Sequence, residues 1–224
     1  MRSLSMPLAL LGLLWVGLTC AHLPADEAAS LAGPHELLAS ACERALARLA
    51  PEPEPAGPML VSFPAEAGPA FRALHATGMG GRVVALEVAV ERLARLALAD
   101  VKPRIAEAVA DFAPEDPEAQ SAGSDDALSV AFRAAAETDL RAALKPAADR
   151  RLAESGALEA LQGVRHSASR LPLPRDVELD LVSIVTDQAV ASFFTGLGDE
   201  ERRLRQERAA PSDGSISKGR EGSQ

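Results

Sequence analysis

The sequence contains no tyrosine and a single tryptophan, and its aromatic fraction is 3% of 224 residues. Trp15 lies inside the N-terminal apolar run, so beyond residue 21 six phenylalanines are the only rings of the Phe, Tyr and Trp type. A chain so poor in stacking side chains, with 32 acids against 23 Lys and Arg and no basic stripe, is excluded as a nucleic-acid binder. Cysteine occurs only at positions 20 and 42, which offers no zinc pair and, without Cys20, no internal disulfide. His22, His35, His75 and His166 have neither His-x-x-x-His nor His-Glu-x-x-His spacing. No metal site and no cofactor is expected. Gly-x-Ser-x-Gly is missing, and Gly78-x-Gly80-Gly81 follows no strand, which excludes a dinucleotide loop. Asp111, Glu115, Asp116 and Glu118 lack the glycine and terminal glutamate of a calcium loop.

What is present begins with an export pattern. Arg2 gives a positive start, Leu8 to Leu18 form an eleven-residue apolar run, and Thr19 and Ala21 occupy the −3 and −1 places of a cleavage before His22. The run is short for a membrane span, and no other stretch approaches eighteen apolar residues. Residues 1–21 are therefore read as a secretory signal, with an uncleaved anchor as the alternative. Its removal takes away one arginine and no acid, moving the net charge from −9 to −10. Cys20 is a candidate for lipidation, although Gly17-Leu18-Thr19 departs from the usual residues before a lipoprotein cysteine. Cys42, among Ala41, Ala45 and Leu46, reads as a buried small hydrophobe rather than a reactive thiol.

Alanine fills 45 positions and arginine outnumbers lysine 20 to 3, a bias that looks like a GC-rich bacterial genome and favours helix. Apolar residues recur at three- and four-residue steps throughout. Pro34 suits a first helical position, with His35 solvated beside it. Pro51, Pro53, Pro55 and Pro58 form a stiff linker at 51–58, and Val61-Ser62-Phe63-Pro64 leads extended into a helix near 65–76. A helix over 82–99 carries Glu91–Arg95 on its polar side, and Pro103 opens another, with Asp100 as its N-cap. Ser124 caps a helix running to Pro146, which kinks or ends it, with a stop at Gly156. A shorter helix spans about 157–167, Leu171-Pro172-Leu173-Pro174 connects, and the last helix runs from Asp176 to Leu197. Asp199–Arg208 reads as a charged extension. The expectation is all-α: a single bundle-like domain of about seven to eight helices over 34–208. A flexible arm at 22–33 and a disordered tail at 209–224 flank it.

Three segments resemble a family of exported bacterial proteins, the domain of unknown function 4197 family. They are Val61–Glu87 with its Gly78-Met79-Gly80 turn, Gly123-Ser124-Asp125-Asp126-Ala127-Leu128-Ser129-Val130-Ala131-Phe132-Arg133, and Val185–Phe194 followed by Glu200–Arg205. The likeness spans about 30–208. It implies an all-helical, periplasmic or otherwise envelope-associated domain and no known activity. Where the family has an aromatic before Phe-Arg this chain has Ala131, and Gln120-Ser121 replaces an apolar pair. Any pocket lined by that aromatic would be trimmed here.

Candidate ligand-binding residues are Arg133, Asp125 and Asp126, an arginine for a carboxylate or phosphate with acids to tune it. Against that stands a capped helix start with an interhelical Arg–carboxylate bridge. Phe112, Phe132, Phe193 and Phe194 either line a cavity for an acyl chain or pack the core. Alanine-rich faces draw helices close, which argues against a large lipid pocket. The expected role is an exported envelope module, without catalytic residues, that binds a small amphipathic ligand or a protein partner. Membrane contact would come only through lipidation or an uncleaved signal. A hydrolase or lyase using acidic residues, or a purely structural part of envelope assembly, are the alternatives.

Overall fold

Alanine, leucine and valine at helical spacing give each segment one apolar stripe, which is buried by laying it on another helix. The computed structural model describes residues 25–49, 60–116, 123–171 and 178–209, with side chains from Gly33 onward. Within these, six α-helices follow in order: α1 (Ala25–Leu49), α2 (Gly68–Ala76), α3 (Gly80–Asp111), α4 (Ala127–Arg151), α5 (Ala157–Ala168) and α6 (Leu181–Ala209). One 3-10 turn, Ala65–Ala67, precedes α2. The protein is all-α, with fewer helices than the seven to eight expected. The signal at 1–21, the proline linker at 51–58, the connector after Leu171 and the tail from 210 lie outside the described residues.

Prolines account for the lower count. The break expected near residue 100 does not occur: α3 runs 32 residues with Pro103 inside it, and α4 passes through Pro146 to Arg151. An interior proline deprives the carbonyl four residues back of its partner. Pro103 and Pro146, with Ala99 and Ala142 four back, all lie on exposed faces, where water serves the freed carbonyl. Pro34 likewise sits inside α1 rather than at its first position, and the helix includes residues 25–33.

α4 packs on both α3 and α6, α1 on α6 and α3, and α2 and α5 close over α3. Leu38, Leu74, Leu86, Leu93, Leu128, Phe132, Phe193 and Leu197 are fully buried between them. An 18-residue window of α6 is apolar enough to cross a membrane by composition alone. Half of that window is buried, with Val185, Ala189, Val190 and Phe193 facing the core.

The turn between α2 and α3 shows why the Gly-Met-Gly sequence stands there. The Met79 N–H donates to the Leu74 carbonyl at 2.8 Å and the Gly78 N–H to His75 at 3.2 Å, a Schellman closure that places Gly78 at φ +78°. A Cβ on Gly80 would come 2.3 Å from His75 Nδ1. Leu60–Pro64 is extended as expected and is pinned by α6. The Ser62 N–H donates to Gln188 Oε1 at 2.5 Å, and Ser192 Oγ donates to the Leu60 carbonyl at 3.1 Å.

Cys42 is buried in α1, and burial pushes its thiol up to about 12. At pH 8 about one thiol in ten thousand is ionised, and the reactive species is the thiolate. Peptide mapping after treatment with an alkylating reagent should find Cys42 unmodified in the native protein and fully modified in 6 M guanidinium. Rapid native labelling would contradict its place in the core.

Candidate functional site

A helix begins with N–H groups that lack intrahelical partners, and these must be met if the end is buried. The start of α4 is such an end. Asp126 stands at its N-cap, yet its side chain makes no capping bond. Ser124, expected to cap, instead donates its Oγ to Asp126 Oδ1 at 2.9 Å, and Arg202 of α6 holds the other Asp126 oxygen. The cap arrives from another helix. Glu201 of α6 accepts from the Leu128 N–H at 3.2 Å, the Ser129 N–H at 2.7 Å and Ser129 Oγ at 2.6 Å. Its side chain is 0% exposed, and Arg205, one turn on, donates to it at 2.7 Å. Gly198 lets the helices approach here, with the Asp126 Cβ 3.6 Å from where its own Cβ would stand. The positive end of α4 is thus neutralised by an internal carboxylate, itself balanced by a guanidinium.

The same device recurs on α3. Glu91 accepts from the Leu60 N–H at 2.9 Å, while Arg95 donates to Glu91 at 2.6 Å and to the Leu49 carbonyl at 2.8 Å. One i,i+4 pair therefore ties the last residue of α1 to the point where the chain returns. The sequence places this pair on a solvated face, whereas Glu91 is 7% exposed because Leu60 lies across it. Glu200, also buried, accepts from Arg48 at 2.5 Å and Arg203 at 2.8 Å, and Arg44 pairs with Glu207, locking α1 to α6.

The candidate ligand cluster is distributed among separate partners. Asp126 is half-buried and joined to Arg202, Asp125 is exposed, and Arg133 donates to Glu137 at 2.8 Å. Among the described contacts none links Arg133 to either aspartate. The Arg133 guanidinium also stands 5.7 Å from the Phe194 ring centre. Hydrogen bonds from Arg133 and then Arg141 hold the Glu137 carboxyl below its usual range. His35 is not simply solvated: its Nε2–H donates to the Phe112 carbonyl at 2.6 Å. Among the described residues no group of three His, Cys, Asp or Glu gathers as a metal would need. Cys20 lies outside the described residues.

The four phenylalanines form a chain of edge contacts, Phe112–Phe132 at 5.4 Å, Phe132–Phe194 at 6.0 Å and Phe193–Phe194 at 5.1 Å. Phe193 and Phe194 are core. Phe112 and Phe132 reach the floor of an open groove of about 760 Å³ between the C-terminal half of α3 and α4. Ala131, Ala134, Ala135, Ala136, Leu140 and Ala143 complete that floor, with Arg104, Glu107, Asp111, Glu115 and Asp139 around it. Ala131, the position where the resemblance has an aromatic ring, thus lies in the groove. A smaller hollow of about 590 Å³ lies beside Pro34, Asp125, Arg205 and Arg208.

Glu201 and Glu91 escape a reading by composition because acids in a charged run look solvated. The signal available for Glu201 is register. Phe193, Leu197, Glu201 and Leu204 fall at steps of four, four and three, which sets a carboxylate in the apolar stripe. Fold and site together define an all-helical domain in which buried carboxylates join distant segments, one of them capping the α4 N-terminus from α6, with an alanine-floored groove on one side. Residues 25–218 match the family described as protein of unknown function, DUF4197, and the chain belongs to that family. No curated protein and no solved structure matches it.

Removing Glu201 strands two buried amides and takes a buried carboxylate from Arg205, so Glu201→Ala should cost about 3–5 kcal/mol in urea unfolding. Arg133→Ala removes a pair between side chains 48% and 29% exposed and should cost under about 1 kcal/mol. Equal losses from the two substitutions would contradict this assignment.

Proposed function

We propose that the protein is an exported, non-catalytic binding module of the cell envelope that holds a small amphipathic ligand or a partner's apolar segment in the α3–α4 groove. The groove itself is the observation that carries the reading: an apolar floor of alanines with Phe112 and Phe132, edged by charge, left open beside a filled core. Ligand sites set apolar surface beside polar groups that orient the ligand, and here apolar and charged surface are nearly balanced. Export rests on the Arg2, Leu8–Leu18 and Thr19–Ala21 pattern, with acylation at Cys20 as the alternative ending of the same pathway. An acid-dependent hydrolase gains no support from the geometry around Asp125 and Asp126. One is exposed and the other is engaged by Arg202 and Ser124.

The test is native and denaturing mass spectrometry on the protein exported by a bacterial host. The intact mass should correspond to a chain beginning at His22 or to an acylated Cys20; an uncleaved chain recovered with the membrane makes the segment an anchor, and an uncleaved chain in the cytosol overturns the export reading. The native spectrum should carry a non-covalent adduct that Ala135→Trp, which fills the groove, removes. An adduct unchanged by that substitution overturns the assignment of the groove.

A further inference from the structure

We propose that the occupant of the α3–α4 groove is an amphipathic helix with a basic edge, an inference that rests on the groove being the binding surface. Charge gives the first argument. Asp111, Glu115 and Asp139 are exposed around the groove and, among the described residues, none has an ion-pair partner. The one cation there, Arg104, is already paired with Glu107 at 2.8 Å. Asp100, half-buried between α3 and α4, is by contrast matched by Arg151 at 2.8 Å. The groove therefore presents a net negative edge that repels fatty-acid carboxylates and anionic headgroups and attracts lysine or arginine.

Shape gives the second argument. From Ala131 to Ala143 the floor follows α4 for about 18 Å, or three helical turns. The groove is open along that length, so a helix would lie partly sunk against the floor. Alanine on the floor allows interaxial distances near the lower end of about 8–10 Å. A single-chain cationic amphiphile would satisfy the edge but would leave much of this floor uncovered. A helix with apolar residues at i, i+3, i+4 and i+7 and lysines beside them covers both.

The probes are an 18-residue Leu/Lys amphipathic peptide, a Leu/Glu twin with the same apolar face, and octyl glucoside as a neutral amphiphile. Each is titrated into the ¹⁵N-labelled exported protein. The Leu/Lys peptide should shift amides of the groove, and should bind at least tenfold tighter than its twin. The triple substitution Asp111→Asn, Glu115→Gln, Asp139→Asn should weaken it at least tenfold at low salt, and Ala135→Trp should abolish it. All four positions are exposed, and circular dichroism confirms that each variant folds. Equal binding of the two peptides, shifts scattered over the surface, or indifference to the triple substitution overturns the proposal. If octyl glucoside shifts the groove amides and the Leu/Lys peptide does not, the helix is wrong and the groove stands. If no probe shifts them, both fall.

Discussion

The start of α4 lies inside the protein, beneath α6, and its free amides would carry a large desolvation cost without an acceptor. Glu201 supplies that acceptor for Leu128 and Ser129 together, and Arg205 supplies the counter-charge that makes a fully buried carboxylate tolerable. No residue of α4 can do this, because Asp126 is held by Ser124 and Arg202. The capping of the α4 N-terminus therefore depends on one side chain from the other helix. The position of α4 in turn sets the width of the groove on its far side.

The Glu91–Arg95 pair does comparable work at the opposite face of the bundle. It joins a helix C-terminus and a returning chain, the Leu49 carbonyl and the Leu60 amide, across residues that contain four prolines. Both carboxylates accept backbone hydrogen bonds from a distant segment and carry an arginine one turn on. Buried acids in this protein thus act as connectors between elements that local sequence cannot join. Pairing with arginine keeps charge inside without leaving it uncompensated. Isolated surface pairs such as Arg104–Glu107 add little by comparison.

Much of this was legible in the residues. Periodicity gives the all-α class, the register of Leu38, Leu86, Phe132 and Phe193, and the buried character of Cys42. The short extended approach to α2 and the Gly-Met-Gly turn were also visible. Three features were not. Pro103 and Pro146 read as boundaries, but a helix continues through proline when its exposed face lets water replace the lost donor. Ser124 read as a cap, but a cap can come from a residue more than seventy positions away. Asp199–Arg208 reads as a charged extension when charge is weighed and register is not. Asp125, Asp126 and Arg133 have separate surroundings: Arg202 and Asp126 form an interhelical Arg–carboxylate bridge, the alternative weighed beside the ligand cluster, and Arg133 pairs with Glu137. Ala131, noted as a missing ring, acquires a place only once α3 lies beside α4.

Glu201 holds the α4 N-terminus closed. Native-state hydrogen exchange at the Leu128 and Ser129 amides reads that contact directly. In the intact protein both should exchange only with global unfolding, and in Glu201→Gln both should exchange far faster while the α3 core amides keep their protection. If the two amides exchange as a fraying helix end does in the unaltered protein, the cap does not exist and α4 is held by packing alone.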